Sequence, residues 1–269
     1  MRFYSTKGNA ISVGFKDALF HGLAPDGGLY MPETIPHLGI DFFKSDLSYP
    51  ELAAGMIHPF TKDDLSHARL IDICESAFDF PLRIKELNKT DSVLELFHGP
   101  TFAFKDFAAR FMARTMSYFL ENKDDELTIL VATSGDTGSA VANGFFNIDG
   151  INVIILYPSN RVSAIQENQL TTLGGNITAL EIDGSFDDCQ RMVKAAFQDI
   201  DLRNRLSLSS ANSINMARLL PQSVYYSWAW KLCAENKPII FSVPSGNFGN
   251  LTGGLLANRM GLPIEKFIA

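Results

Sequence analysis

From residue 93 onwards, short apolar runs alternate with segments of helical periodicity. The apolar runs predict buried strands over 93–97, 127–132, 152–157, 177–182 and 238–243. The segments between and after them predict helices over 107–120, 138–146, 162–173, 186–200, 214–233 and 251–260, with an interruption or kink near Pro221. Because a helical crossover makes the strands it joins parallel, the alternation predicts an α/β fold with mostly parallel, helix-covered sheets.

The first 92 residues have a different sequence pattern. Closely spaced glycines and prolines separate short apolar runs there, which predicts an irregular, partly helical N-terminal region. We therefore expect three parts: this region over 1–92, a first α/β part over 93–236, and the start of a second α/β part over 237–269. Residues 264–269 resemble the beginning of a strand, so we expect the native protein to be longer.

The composition excludes several classes of protein. The 269-residue chain has a formal net charge of −7, from 23 basic and 30 acidic residues, and no basic run, which argues against a nucleic-acid partner. No apolar run is long enough to span a bilayer, and the N-terminus has no signal region. The 3 cysteines are far apart, and no histidine pair has metal-ligand spacing. We expect a cytoplasmic protein without a metal site.

Lys105 carries the clearest chemical signal in the chain. Three phenylalanines flank it: Phe102, Phe104 and Phe107. The preceding Gly-Pro pair and the apolar repeat that follows predict the first turn of a helix, with Thr101 as a possible cap. Crowding by aromatic rings and a helix N-terminus both favour the neutral amine, which attacks carbonyl carbons. The alternative is an amphipathic helix whose lysine reaches solvent past the aromatic cluster.

Two glycine-rich loops each follow a predicted strand and precede a predicted helix. They are Thr-Ser-Gly-Asp-Thr-Gly at 133–138 and Pro-Ser-Gly-Asn-Phe-Gly-Asn at 244–250. Free N–H groups at helix starts bind anions, and glycine lets the backbone approach them closely. Neither loop has a nucleotide-binding fingerprint. Each alone is also compatible with a structural turn, but together with an activated lysine they fit a phosphorylated aldehyde cofactor and an anionic substrate.

These three segments resemble those of the threonine synthases, which are pyridoxal-phosphate enzymes of the tryptophan-synthase-β fold type. Further matching stretches occur at 2–6, 26–30, 157–158, 165–167, 171–176, 186–190, 212–215, 218 and 221–222. The resemblance covers essentially the whole chain and is to the variant with a long N-terminal region, whose members continue well past this C-terminus. Phe102, Asn250 and Met216 stand where the family often has leucine, aspartate and tryptophan.

The resemblance implies a role for each group of residues. Lys105 would carry pyridoxal 5′-phosphate as a Schiff base and move protons at the substrate's α-carbon. The cofactor's phosphate would lie on Gly246, Asn247, Phe248, Gly249 and Asn250. The substrate's carboxylate would lie on Ser134, Gly135, Asp136 and Thr137, and its phosphate near Asn215 and Arg218. The alternative for Arg218 is a surface charge on its helix.

The reaction that the resemblance implies is the conversion of O-phospho-L-homoserine and water to L-threonine and phosphate, a lyase reaction of threonine biosynthesis. The partner would be this small-molecule substrate, with no nucleic acid and no membrane, and the protein would be a monomer or homodimer. Two alternatives stay open. One is a related phospho-lyase acting on a small phosphorylated amino acid, and the other is an inactive fragment that binds the cofactor.

Overall fold

The computed structural model describes residues 1–121, 126–212, 215–233 and 239–269. Its N-terminal region consists of short helices and two small antiparallel strand pairs, which fits the predicted irregular, partly helical region. In chain order the elements are β1 (Phe3–Ser5), α1 (Phe15–His21), β2 (Tyr30–Pro32), α2 (Ile40–Lys44), α3 (Tyr49–Thr61), α4 (His67–Ala77), β3 (Arg83–Glu86) and β4 (Ser92–Glu95). Strand β1 pairs with β2, and β3 pairs with β4.

The remainder of the chain alternates between helices and strands. In chain order the elements are α5 (Lys105–Leu120), β5 (Leu127–Ala132), α6 (Asp136–Phe145), β6 (Ile151–Pro158), α7 (Ala164–Thr171), β7 (Ile177–Ile182), α8 (Phe186–Gln198), α9 (Ile200–Arg205), β8 (Ser207–Ser210), α10 (Met216–Cys233), β9 (Ile239–Ser242), α11 (Gly249–Arg259) and β10 (Ile264–Ile268). A parallel sheet has the strand order β7-β6-β5-β8, and β9 pairs with β10, also in parallel. The predicted α/β fold is confirmed.

Three predictions about individual elements need comment. The predicted strand 93–97 overlaps β4, which belongs to an antiparallel hairpin with β3 and not to a parallel sheet, because only a short turn joins the two strands. The sequence pattern does not predict α9 and β8, since β8 is Ser-Leu-Ser-Ser and has no apolar run. The predicted bounds at 214 and 238 lie outside the described residues, and Pro221 lies inside α10.

The two faces of the parallel sheet are covered by different helices. Alternate residues of β5 point to opposite faces, so Ile129 and Val131 join the main core while Leu130 and Ala132 join a smaller cluster with residues of α8. The main core also contains side chains of α5, α6 and α10. The helix that begins at Lys105 is therefore held against the sheet along much of its length.

Two arginines of α5 fasten it to its neighbours. Arg110 donates hydrogen bonds to the carbonyl oxygens of Ala77 (2.8 Å) and Ser76 (3.0 Å), at the end of α4. Arg114 donates to the carbonyl of Gly144 at 3.3 Å, near the end of α6. Burial lowers the pKa of Arg114 to about 10, and the Arg110 cation acts in the same direction. Both arginines satisfy carbonyl groups that a helix end leaves free.

Helices α10 and α11 approach each other closely at Gly253. A β-carbon added there would lie 2.8 Å from the carbonyl carbon of Gln222 and 2.9 Å from its oxygen. On the next residue, Gly254, a β-carbon would lie 2.6 Å from the ring of Phe267 in β10. The two glycines therefore allow α11 to pack against both α10 and the last strand. None of the helices in the described part of the chain combines the length and apolar character that a membrane crossing requires.

We predict that Gly253→Ala destabilises the protein by about 1–3 kcal/mol, because the methyl group would push against the backbone of α10, which cannot rotate out of the way. The free energy of unfolding in urea measures the effect. Arg259→Ala, on the exposed side of the same helix, is the control and should change it by less than about 0.5 kcal/mol. Equal stability of Gly253→Ala and the unaltered protein would contradict the close packing.

Candidate functional site

Lys105 is the first residue of α5, and its side chain is partly buried. Its Nζ atom lies 5.6 Å from the centre of the Phe104 ring. Burial lowers the pKa of Lys105; the Asp136 carboxylate acts in the opposite direction, and the Arg218 cation adds to the lowering. The local environment therefore favours the neutral amine, as the sequence predicts.

Two expectations about the segment before Lys105 are wrong. Phe102 does not crowd the lysine, because its backbone adopts a φ of 60° and its side chain is 72% exposed. Thr101 is not the helix cap: α5 begins at Lys105, with Phe104 as its N-cap residue and no side-chain cap. The Thr101 hydroxyl instead donates a hydrogen bond to Oδ1 of Asp106 at 2.5 Å.

The first glycine-rich loop is organised around a buried hydroxyl group. Oγ1 of Thr133 accepts hydrogen bonds from the backbone N–H groups of Gly135 (3.0 Å) and Gly138 (2.8 Å). Gly135 has a φ of 143°, a conformation that side chains rarely allow. Since Thr133 takes these two donors, the amides of Asp136 and Thr137 are the ones left to face a ligand at the start of α6.

Gln166 is a site residue that the sequence reasoning misses. Its Nε2 donates to Oδ1 of Asp136 at 2.6 Å, and a side chain on Gly135 would collide with it. Its Oε1 accepts from the backbone and the hydroxyl of Ser163, in the capping box that begins α7. The Ser-x-x-Gln spacing signals a helix start, but nothing in it signals a contact with Asp136.

Arg218 lies on α10 and is 2% exposed, which overturns the alternative of a surface charge. One of its terminal nitrogens, Nη1, donates to the carbonyl of Ala211 at 2.6 Å. Its Nε has no hydrogen-bond partner among the described residues. Burial lowers the pKa of Arg218 to about 10, and the Asp106 carboxylate acts against this. A buried guanidinium with a free donor is a feature of a site that receives an anion.

Asn215 is fully buried at the start of the same helix. Its Nδ2 donates to the carbonyl of Leu19 at 2.8 Å, and its Oδ1 accepts from the backbone of Ala217 at 3.0 Å. These bonds join α10 to the end of α1. The predicted contact between Asn215 and a substrate phosphate stays a prediction.

The second glycine-rich loop is held by the side chain of Asn250. Its Oδ1 accepts from the Ser245 hydroxyl at 2.5 Å, and its Nδ2 donates to the Pro244 carbonyl at 3.2 Å. Phe248 caps α11 with a left-handed backbone, φ 58° and ψ 10°. Gly246 has open space where a side chain would be: no described atom lies within 4 Å of an added β-carbon. This loop thus presents exposed backbone at a helix start.

The structure brings several of the predicted residues into one neighbourhood. Electrostatic interactions connect Lys105 to Asp136 and Arg218, and Arg218 to Asp106. The loops follow the carboxyl ends of β5 and β9, and the second is joined to α10 through the Tyr226 hydroxyl, which donates to the Asn250 carbonyl at 2.9 Å. These features define a site in which a partly buried lysine lies near a buried arginine and the start of α6.

Comparisons with known proteins identify the family. Residues 91–269 match the family model described as "Pyridoxal-phosphate dependent enzyme", and residues 2–78 match "Threonine synthase N terminus". The chain therefore belongs to the pyridoxal-phosphate-dependent enzymes. The likeness to threonine synthases that the motifs indicate is confirmed along the whole chain.

Individual relatives agree with this assignment. The chain is 44% identical over 271 residues to a threonine synthase of Haemophilus influenzae, covering 100% of this chain and 63% of the relative. It is similar to the crystal structure of the Escherichia coli threonine synthase, with a TM-score of 0.93, 42% identity, and coverage of 100% of this chain and 63% of the other. The pyridoxal-phosphate-bound threonine synthase of Brucella melitensis gives a TM-score of 0.92 at 43% identity, over 99% of this chain and 60% of that one. The chain thus spans less than two thirds of the length of these relatives.

We predict that the amine of Lys105 becomes reactive at lower pH than an exposed lysine such as Lys44, because a lowered pKa raises the fraction of neutral amine at any given pH. Reaction with an amine-acylating reagent across a pH series, followed by peptide mass spectrometry, gives the midpoint for each lysine.

The two charged neighbours should move this midpoint in opposite directions. Asp136→Asn removes a negative charge and should lower it further, whereas Arg218→Met removes a positive charge and should raise it. Shifts of the same sign in both variants would contradict the arrangement of charges around Lys105.

Proposed function

We propose that the protein to which this chain belongs converts O-phospho-L-homoserine and water to L-threonine and phosphate, using pyridoxal phosphate bound to Lys105. One observation carries the proposal: the buried Arg218, with a free Nε, lies within electrostatic range of a partly buried lysine whose pKa is lowered. This pairs a donor for a substrate phosphate with a nucleophilic amine. The similarity to threonine synthases over the whole chain supports the choice of substrate.

The second glycine-rich loop fits the phosphate of the cofactor. The open space beside Gly246 lets a phosphate approach the backbone, and the start of α11 supplies a favourable helix dipole. The N–H groups of Gly249 and Leu251 donate to the side chains of Asn247 and Asn250, which an arriving phosphate would replace as acceptors. Gly246, Asn247, Phe248, Gly249 and Asn250 would form this cradle, with the Asn250 side chain holding the loop in shape. When bound, pyridoxal phosphate supplies an electron sink for carbanions of the substrate.

The first loop and Arg218 would hold the two ends of the substrate. The amides at the start of α6 suit a carboxylate, so we assign Ser134, Gly135, Asp136 and Thr137 to the substrate's carboxylate group. Arg218 suits its phosphate, because a guanidinium offers donors in the fork geometry of such an anion. Asn215 is assigned to the same phosphate by resemblance, and it also fixes the start of α10.

Lys105 would also move the protons of the reaction. Its lowered pKa leaves more of the amine neutral near pH 7, so that Nζ accepts a proton from the substrate's α-carbon and returns it later. Asp136, hydrogen-bonded to Gln166, acts against this lowering because its negative charge favours the protonated amine. Lys105 would act as a base and then as an acid in the same reaction.

The organisation into parts 1–92, 93–236 and 237–269 is also a proposal, and the boundary between 236 and 237 lies outside the described residues. The cytoplasmic location, the absence of nucleic-acid and membrane partners, and the monomeric or homodimeric state stay predictions.

We predict that the full-length protein releases L-threonine and phosphate from O-phospho-L-homoserine, and that Lys105→Ala abolishes both products and covalent cofactor attachment. Borohydride reduction followed by peptide mass mapping locates the attachment. Lys194→Ala, which changes an exposed lysine, is the control and should keep the label and the activity. A label on Lys85 or any other lysine would refute the assignment of Lys105, and a keto acid in place of threonine would identify a phospho-lyase instead.

We predict that Gly246→Val weakens pyridoxal phosphate binding by at least about tenfold, since the branched side chain would fill the space left for the phosphate. Stability should change little, because no described atom lies in the way of the side chain. Gly253→Ala should show the opposite pattern, with lower stability and smaller change in affinity. Unchanged affinity in Gly246→Val with lost stability would mean that the loop is only structural.

A further inference from the structure

Asp106 is a fully buried carboxylate beside the proposed catalytic lysine, and the mechanism above gives it no role. It is the second residue of α5, directly after Lys105. Charged side chains are seldom fully buried unless they are well paired, so its position requires an explanation.

The hydrogen bonds to the Asp106 carboxylate come from the segment just before Lys105, namely from Thr101 and from the backbone of Ala103. Oδ2 accepts from the backbone N–H of Thr101 at 2.9 Å, and Oδ1 accepts from the Thr101 hydroxyl at 2.5 Å. Gly99 packs directly on the carboxylate, since a β-carbon added there would lie 2.5 Å from Oδ2 and 2.9 Å from the β-carbon of Asp106. The carboxylate therefore closes residues 99–106 into a compact turn.

This turn includes an unfavourable backbone conformation. Phe102 has a φ of 60°, which bulky residues rarely adopt, and its N–H donates to the Gly99 carbonyl at 3.1 Å. Such a conformation persists only where neighbouring contacts hold it in place. The two hydrogen bonds from Thr101 to Asp106 join the residue before Phe102 to a residue after it and so close the turn around Phe102.

The electrostatic surroundings favour Asp106 as an acceptor. The N–H group of Thr101 can only donate, so Oδ2 of Asp106 accepts from it. Burial raises the pKa of Asp106, while the hydrogen bonds from Thr101 and the Arg110 cation lower it. The start of α5 adds a favourable helix dipole. Asp106 also acts on the buried Arg218, where its negative charge favours the guanidinium cation.

We propose that Asp106 is a positioning residue, whose buried carboxylate folds residues 99–105 into the turn that aims Lys105 at the cofactor. The inference rests on the proposed function, because it needs Lys105 to be the attachment site. Asp106 does not touch the reacting atoms; it acts through the backbone of Thr101 and through the helix start.

The test measures pyridoxal phosphate affinity in the full-length protein by absorbance, and the fraction of borohydride-fixed label on Lys105 by peptide mapping. Asp106→Asn keeps one acceptor oxygen but replaces the other with an N–H₂ group, which removes the carboxylate and reverses the direction of the hydrogen bond with the Thr101 hydroxyl. We expect it to weaken cofactor binding by about tenfold or more and to spread the label to other lysines, since a hydrogen bond to a buried charge is lost. Thr101→Val should have a smaller effect of the same kind, and Thr101→Ser, which keeps the hydroxyl, should retain normal binding.

Asp26→Asn is the matched control for loss of stability alone. Asp26 closes a turn in the N-terminal region in a similar way, accepting from the Ser5 hydroxyl at 2.6 Å and the Gly28 N–H at 2.9 Å. It should lower stability but leave cofactor affinity and the label on Lys105 unchanged. Circular dichroism and urea unfolding show whether each variant is folded.

A folded Asp106→Asn protein with normal affinity and all label on Lys105 would overturn the proposal. If the Asp106→Asn protein does not fold, the proposal is tested with Thr101→Val and Gly99→Ala. The methyl group of Gly99→Ala displaces the Asp106 carboxylate without removing it. Normal cofactor affinity in both variants would overturn the proposal. Failure of the proposed function would show differently, as a label on another lysine in the unaltered protein.

Discussion

The burial of Arg218 is the constraint on which the rest of the site depends. A guanidinium that is 2% exposed and has a free Nε is costly to place in a protein interior. Burial is the main reason why the pKa of Lys105 is lowered, and the positive charge of Arg218 adds to that lowering. The negative charge of Asp106 acts to raise the pKa of Arg218, and that of Asp136 acts to raise the pKa of Lys105. The site thus combines two basic side chains with two carboxylates, so that each basic group has an acidic neighbour.

The N-terminal region forms part of the support for both cations. Asn215 donates to the Leu19 carbonyl at the start of α10, and Lys231 donates to the Leu47 carbonyl at 2.6 Å near its end. On α5, Arg110 bonds to the end of α4 and also pairs with Asp79 at 2.6 Å. The helices that carry Lys105 and Arg218 are therefore both held by residues that lie far before them in the sequence. This arrangement explains physically why a region with no proposed catalytic residue belongs to the same protein.

Much of the fold is predictable from the sequence because the two central strands of the parallel sheet, β5 and β6, are largely buried on both faces. Leu127–Ala132 is buried at every position and is an apolar run broken only by Thr128, and its predicted bounds agree with β5. The polar strand β8 has no such signal. The burial of Arg218 cannot be predicted from the sequence either. Helix α10 is buried nearly all round, so the position of Arg218 in the sequence does not mark one buried face. The contact between Gln166 and Asp136 joins residues 30 apart, which local patterns cannot reveal.

The two glycine-rich loops reach a similar geometry by different means. In the first, Gly135 takes a φ of 143° and Thr133 binds two of the loop's amides, so glycine itself supplies the unusual backbone. In the second, the left-handed residue is Phe248, whose conformation costs about 1–3 kcal/mol relative to a relaxed backbone. The Asn250 side chain, bonded to Ser245 and Pro244, holds that loop in place. The unusual backbone of the second loop is thus held by hydrogen bonds that the loop makes within itself, whereas the first loop needs only a glycine.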